Sequence, residues 1–333
     1  MKRKLQLGTG VGILIFLLVS AGFYILSSEN KTPELTFIEI ENSIKNHDRE
    51  TFYKFVDIDG VLNSSCDEIL GGMADSDKSM SIEAREAVKN FTQMLKAPLV
   101  LTLKTAIDNY VASGKFNEPE NLSIKEILSK TGIDKIEYRG VEKIFVNDDE
   151  SVANIKIFHP ELGNEFILNA VLKMTDEGDW KIIRLLNFRE FVTQIGEIRR
   201  NRLDQYLAKT EEINSVHDKI IRDAESKYNS ILSKGSLGQE NIRAELKKLM
   251  LDVVKKDWEN RKQEIFNLNV PQDAQTLHSL RIKICDLEIG YAEEYATWMT
   301  DKKASTIKSA EEKRRQAQTL MTEANVLARR MTH

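Results

Sequence analysis

The hydrophobic period of the chain changes twice, and these changes restrict the possible folds more than any other feature. Apolar residues recur every three or four positions through residues 33–113, every second position between about 133 and 185, and every three or four positions again from 213 onwards. A period near 3.6 indicates amphipathic helices, whereas a period of two indicates half-buried strands. Helices, then strands, then helices predict an α+β domain followed by an all-helical region.

The segment with a period of two predicts four strands in an antiparallel meander. Two β-rich runs flank a polar turn at 147–150, and an acidic turn at 176–179 precedes the last strand, "WKIIRLL". Apolar residues alternate along one face of the third and fourth strands: Phe166, Leu168, Ala170, Leu172 and Met174, then Trp180 and Ile182. This face is expected to pack against the preceding helices.

Several helix boundaries can be predicted in the first part of the chain. Thr32 suits the N-cap and Pro33 the first position of a helix. A second helix follows a break at 46–48. Pro98 is expected to separate a helix at 82–96 from one at 98–113, because proline interrupts the helical hydrogen bonds. A capping box at 123–126 predicts a further short helix.

The C-terminal part is predicted to be a bundle of three or four antiparallel helices. The first helix is expected to bury one stripe: Ile213, Val216, Ile220, Ala224, Tyr228 and Ile231. A turn at 234–238 and Pro271 precede further amphipathic helices, and short connections make neighbouring helices antiparallel. A coiled coil that recruits a partner is the alternative. The expected domains are 32–192 and 193–333, behind an N-terminal segment at 1–28.

Residues 5–26 contain no charged side chain and predict a membrane anchor. As a helix this segment would be roughly 33 Å long, which is enough to cross a hydrocarbon core. Lys2, Arg3 and Lys4 precede it, so the N-terminus is expected in the cytoplasm and the bulk of the chain outside it. The small residues that end at Ala21 could form a cleavage site, so a cleaved signal peptide is an alternative. A buried soluble helix is a further alternative.

The sequence carries no recognisable catalytic or metal-binding motif. The net charge of −4 argues against nucleic acid as a main partner. The five histidines lack metal-ligand spacing, so no metal, cofactor or catalytic residue is expected. The sequence "DIDG" at 57–60 resembles the start of a calcium loop, but its glycine is misplaced, and a helix-capping turn is preferred. Cys66 and Cys285 could form a disulfide or remain isolated buried thiols.

One stretch resembles a known family. "IENSIKNHDRETFYKFVDIDGVLNSSCDEIL" is similar to bacterial membrane-anchored domains of unknown function, and "GDWKIIRLLN" looks like their closing strand. The matching positions are Ile44, Asp48, Phe52, Phe55, Val56, Asp57, Val61 and Leu62. The resemblance covers residues 33–192 and implies the cone-shaped α+β fold of nuclear transport factor two and its relatives. The family supplies no known catalytic residues.

A cone of this type encloses a pocket between its curved sheet and its helices. The candidate lining residues are Phe166, Leu168, Ala170, Trp180 and Ile182, which could instead simply fill the core. The expected function is that of a non-enzymatic interaction or structural protein, anchored in the cell membrane by a single span and contacting other envelope proteins. A small-ligand sensor that uses the cone pocket is the main alternative, and an enzyme with a scattered site is the third.

Overall fold

The structure is a computed structural model that describes residues 31–75, 81–114 and 136–332. The chain divides into two compact units, and the boundary falls between Ile198 and Arg199. The predicted anchor at 5–26 and the predicted short helix at 123–126 lie outside the described residues. Within the described ranges, every helix is too short or too polar to cross a membrane.

The described part of the first unit begins with the helices α1 (Pro33–Lys45), α2 (Arg49–Phe55), α3 (Ile58–Asp75) and α4 (Ile82–Ser113). Thr32 is the N-cap of α1 and Pro33 occupies its first turn, as predicted. The break between α1 and α2 places His47 at a positive φ of 60°, and the Asp48 carboxylate then caps α2. The "DIDG" turn caps α3, because the Asp57 carboxylate accepts the backbone N–H of Gly60 at 3.0 Å.

The predicted break at Pro98 is wrong, since α4 runs through this residue without interruption. Pro98 is exposed, and it removes only one backbone donor from the helix. Leu99, Leu103 and Ile107 follow it on one buried stripe. Burial of this stripe stabilises the helix beyond the proline and outweighs the lost hydrogen bond.

The sheet confirms the predicted meander. Its strands are β1 (Glu137–Asn147), β2 (Glu150–His159), β3 (Asn164–Met174) and β4 (Trp180–Leu185), and they pair antiparallel in the order β1-β2-β3-β4. Alternate positions are buried along β2, β3 and β4 as the period of two requires. Met174 is an exception and is 38% exposed, because it ends β3 next to the turn that leads to Trp180.

The helices and the sheet of the first unit share one hydrophobic core. Trp180 is 3% exposed and belongs to the same cluster as Phe37 and Phe52. The Thr36 hydroxyl of α1 donates to the carbonyl oxygen of Trp180 at 3.0 Å. The backbone N–H of Asp57 donates to the carbonyl oxygen of Ile182 at 2.8 Å. These bonds fix α1 and the start of α3 on β4.

The residues after β4 are helical apart from short connections, within the range that the structure describes. The helices are α5 (Phe188–Ser233), α6 (Glu240–Leu249), α7 (Lys256–Phe266), α8 (Gln275–Asp301) and α9 (Ala304–Met331). A π-helix, Met250–Lys255, joins α6 to α7. Helix α8 ends where Lys302 adopts a positive φ of 54°, and α9 begins two residues later. Two hydrophobic clusters lie in this second unit.

The stripe predicted for the first helix of the C-terminal part is wrong at two positions. Val216 and Ile220 are exposed, whereas the buried side chains on this helix include Thr210, His217 and Ala224. The buried stripe keeps the helical spacing but contains polar residues with hydrogen-bond partners. A pattern based on hydrophobicity alone therefore selects the apolar neighbours of the residues that are buried.

Candidate functional site

The second unit contains a cavity of about 910 Å³. Its walls come from α5, from the end of α6 and the segment that joins it to α7, and from α7, α8 and α9. The volume lies within the range of about 300–1,000 Å³ that is typical of sites for small organic ligands. On α5 the wall extends from Glu211 to Asn229, which corresponds to roughly 27 Å along a helix. The cavity is therefore elongated as well as large.

The π-helix contributes directly to this cavity. Met250 and Val254 belong to the π-helix and form part of the apolar wall, together with Ile221 and Ile284. A π-helix is less stable than an α-helix and occurs mostly as a short insertion, often at a functional site. The π-helix therefore places two apolar side chains on the cavity wall.

Glu288 is a buried carboxylate in the cavity wall. It lies on α8 and is 8% exposed. Its carboxylate makes no hydrogen bond or ion pair with any described residue. Burial raises the pKa of Glu288 to about 7, although the positive charges of Arg314 and Arg261 oppose this shift. Protonated and ionised forms are therefore both populated at neutral pH.

Arg261 is the most buried cation of the wall, and it lies beside two aspartates, although its Nε and Nη2 are buried without a hydrogen-bond partner. It is 4% exposed, and its Nη2 lies 2.8 Å from the Asp218 Oδ1 and 4.0 Å from the Asp257 Oδ2. The guanidinium carbon lies 4.1 Å from the ring centroid of Trp258, at the distance of a cation–π contact. These contacts hold the side chain against the wall.

The two other arginines of the wall bind neutral oxygen atoms. Arg281 donates to the Thr210 hydroxyl and lies over the ring of Tyr206, 5.6 Å from its centroid. Arg314 donates to the Tyr291 hydroxyl at 3.3 Å and lies over the same ring at 5.3 Å. All three guanidinium groups therefore have polar and aromatic partners within the protein.

Three tyrosines from α5 and α8 form an aromatic cluster beside Glu288. The ring centroids of Tyr291 and Tyr295 are 5.6 Å apart, and those of Tyr228 and Tyr295 are 6.2 Å apart. The hydroxyls of Tyr228 and Tyr295 form a hydrogen bond with each other. Burial raises the pKa of both Tyr291 and Tyr295 above the ordinary value, so these hydroxyls stay protonated near neutral pH. The cluster offers aromatic faces and neutral hydroxyls to the cavity.

A buried polar pair lies behind the wall. The His217 Nδ1 is 2.7 Å from the Asp257 Oδ1, and the His217 Nε2 is 3.4 Å from the Glu264 Oε1. The contact between His217 and Asp257 connects α5 to α7. Asp257 also lies near Arg261, whose guanidinium packs on the ring of Trp258. His217 braces the wall from outside the cavity and does not line it.

The structure brings the five residues predicted as pocket lining into the core of the first unit. Phe166, Leu168, Ala170, Trp180 and Ile182 are all buried there. The cavity wall of the second unit contains none of them. Two of its residues, Ala224 and Tyr228, were predicted from the sequence to be buried, but not to form a site. One signal was available. Glu288 lies one turn from Ile284 and from Tyr291 on the apolar stripe of α8, where a charged residue is unexpected.

The two cysteines are far from reactive, and the described carboxylates do not form a metal site. Cys66 and Cys285 are free, buried, and located in different units. Burial raises the pKa of each thiol to about 12, which makes both poor nucleophiles. Within the part of the chain that the structure describes, no group of three or more histidine, cysteine, aspartate or glutamate side chains could hold a metal ion.

Comparisons with known proteins supply no identity for this chain. No protein-family model, curated protein or solved structure matches it. The resemblance of residues 33–192 to the membrane-anchored family therefore stays a prediction. The geometry of the helical unit is the basis for a functional proposal.

Proposed function

We propose that this chain is a membrane-anchored, extracytoplasmic binding protein of the bacterial envelope, without catalytic activity, and that its helical unit holds an organic ligand. The observation that carries the proposal is the cavity of about 910 Å³ lined by Glu288, a buried carboxylate that makes no hydrogen bond or ion pair with any described residue. Burying an ionisable group without compensation is costly, so such groups are concentrated at sites with a function.

The remaining parts of the proposal rest on the sequence. Residues 5–26 would anchor the chain, residues 32–192 would form the cone-shaped domain, and the C-terminal helices would form an antiparallel bundle. The cavity supports a ligand site in the helical unit rather than in the cone, where the five candidate residues are packed in the core.

Contacts with other envelope proteins are a second candidate role. Helix α4 of the first unit exposes large apolar side chains: Phe91, Met94 and Leu101. Exposed apolar groups on one helix favour a contact with another protein. This role is compatible with ligand binding in the second unit.

The orientation can be tested with an engineered cysteine. Ser215 is exposed on α5, and both native cysteines are buried, so background labelling should be low. We expect a membrane-impermeant maleimide to label Ser215→Cys in intact cells, or in spheroplasts where an outer membrane intervenes. The unsubstituted chain is the control. Labelling of the variant only after lysis would contradict the proposed orientation.

The ligand can be tested by filling the cavity. Met321 lines the cavity, whereas Thr319 is exposed on the same helix and does not. We expect a small organic molecule to co-purify with the full chain from its native membrane, as detected by mass spectrometry after denaturation. Met321→Trp should lose most of this molecule because the indole occupies the cavity, and Thr319→Trp should retain it.

An equal yield of the molecule from Met321→Trp would place its site elsewhere. Its absence from the unsubstituted chain and from both variants would contradict the proposed function. Circular dichroism of both variants would establish that neither substitution has unfolded the helices.

A further inference from the structure

We infer that the ligand is an organic cation, an amine on an aromatic or aliphatic body, whose ammonium group binds the carboxylate of Glu288. The inference rests on the proposed function and defines the chemical class of its ligand. Glu288 faces the cavity, is more than nine-tenths buried, and makes no hydrogen bond or ion pair with any described residue. An ammonium group provides both the charge and the hydrogen-bond donors that this carboxylate lacks.

The charge balance of the cavity wall favours a cation over an anion. The wall contains five carboxylates and three guanidinium groups: Glu211, Asp218, Glu225, Glu288 and Glu311 against Arg261, Arg281 and Arg314. Each arginine already has a partner within the protein, which is Asp218, Thr210 or Tyr291 respectively. Arg281 and Arg314 bind neutral hydroxyls, so the argument for a cation rests on the excess of carboxylates and on Glu288, which makes no hydrogen bond or ion pair with any described residue.

The aromatic cluster supports the same class of ligand. Tyr291 and Tyr295 follow Glu288 by three and seven positions, so all three residues lie on one face of α8. Tyr228 of α5 packs against Tyr295. Aromatic faces attract ammonium groups, and this attraction increases when both are removed from water. A carboxylate beside aromatic rings is therefore a suitable site for an amine.

The apolar part of the wall defines the body of the ligand. Met250, Val254 and Ile284 offer hydrocarbon surface, and the π-helix brings the first two of them into the cavity. A hydrophobic body attached to the amine would bury apolar surface against these side chains. The site therefore suits an amphiphilic amine better than a small hydrophilic one.

Three probes with one body and different head groups test the inference. Phenylbutylamine, phenylbutanol and phenylbutanoate would be titrated by calorimetry against the full chain in phosphatidylcholine nanodiscs, with empty nanodiscs as the blank. We expect the amine to bind about tenfold or more tightly than the alcohol, which is typical of a hydrogen-bonded ion pair in a buried site. The carboxylate should bind most weakly.

Two substitutions connect the preference to Glu288. Glu288→Gln should reduce the affinity for the amine to that for the alcohol, and leave the affinity for the alcohol unchanged. Glu323→Gln makes the same change in charge at an exposed position of α9 outside the cavity wall, and it should leave the preference for the amine intact. Circular dichroism would verify that both variants remain folded.

The outcomes separate the inference from the proposed function. If the alcohol or the carboxylate binds as tightly as the amine, the cavity is a ligand site but the inference is wrong. A preference for the amine that persists in Glu288→Gln also overturns the inference. If none of the probes binds, the proposed function itself is contradicted.

Discussion

Replacing Trp180 with alanine is expected to unfold or severely loosen the first unit. Trp180 is 3% exposed, lies at the start of β4, and belongs to the core that contains Phe37 and Phe52. Truncation of a buried tryptophan typically costs about 3–5 kcal/mol. The total stability of a domain is typically about 5–15 kcal/mol, so the variant should melt many degrees below the unsubstituted chain.

Hydrogen exchange followed by mass spectrometry would locate this effect. Peptides from β2 and β3 should lose their protection in Trp180→Ala, whereas peptides from α8 should keep it, because the second unit has separate hydrophobic clusters. Phe145→Ala is the matched control, since Phe145 is an aromatic residue of the same sheet that is largely exposed. If Trp180→Ala melts within a degree or two of the unsubstituted chain, the tryptophan does not stabilise this core.

The sheet could be predicted from the sequence because alternation of side chains is a local property of a strand. Leu168 and Ala170 on β3, and Trp180 and Ile182 on β4, were assigned to one face from spacing alone, and all are buried. The pattern fails at Met174, where the strand extends beyond the core. Spacing specifies which side chains share a face, but it does not specify how far the covering layer extends.

Local sequence rules could not show that α4 continues through Pro98. Proline disfavours a helix interior, yet the stripe that continues through Leu99, Leu103 and Ile107 is buried in the core. The helix therefore depends on tertiary packing, which outweighs a local preference of a few kcal/mol.

The cavity could not be predicted from the sequence, because its walls come from six helical segments between residues 211 and 325. Its most informative residue, Glu288, is a single charge on an apolar stripe and matches no motif. His217 and Thr210 are similar cases, since both are buried and each has a partner on another helix, Asp257 and Arg281 respectively. A hydrophobicity pattern does not show which polar residues have a hydrogen-bond partner on another helix. Buried polar residues are therefore predicted to be exposed.

Replacing Glu288 with glutamine is expected to stabilise the second unit at high pH and to have little effect at low pH. Burial raises the pKa of Glu288 from the ordinary value of 4.5 to about 7. Between these two values the folded protein holds a proton that the unfolded chain has released, so the free energy of unfolding decreases as the pH rises through this window. Above the window the cost is on the order of 3 kcal/mol, at about 1.4 kcal/mol for each pKa unit.

The charged and titratable groups of the cavity wall come from α5, α7, α8 and α9. They are Asp218, Glu211, Glu225 and Tyr228 of α5, Arg261 of α7, Arg281, Cys285, Tyr291 and Tyr295 of α8, and Glu311 and Arg314 of α9. Glu288→Gln preserves the shape of the side chain and removes its ionisation. The difference between the variant and the unsubstituted chain therefore isolates the contribution of this carboxylate.

The measurement is the urea midpoint of α8 at about pH 5 and about pH 8, read by a short hydrogen-exchange pulse at one fixed pH. The difference in midpoint between Glu288→Gln and the unsubstituted chain should be larger at the higher pH than at the lower pH. Glu323→Gln makes the same change in charge at an exposed position, and its difference in midpoint should be the same at both pH values. An equal difference at both pH values would show that Glu288 does not ionise in a buried site. A carboxylate that weakens the fold at neutral pH is understandable if its charge is used for binding, because a ligand that supplies the opposite charge would remove the cost.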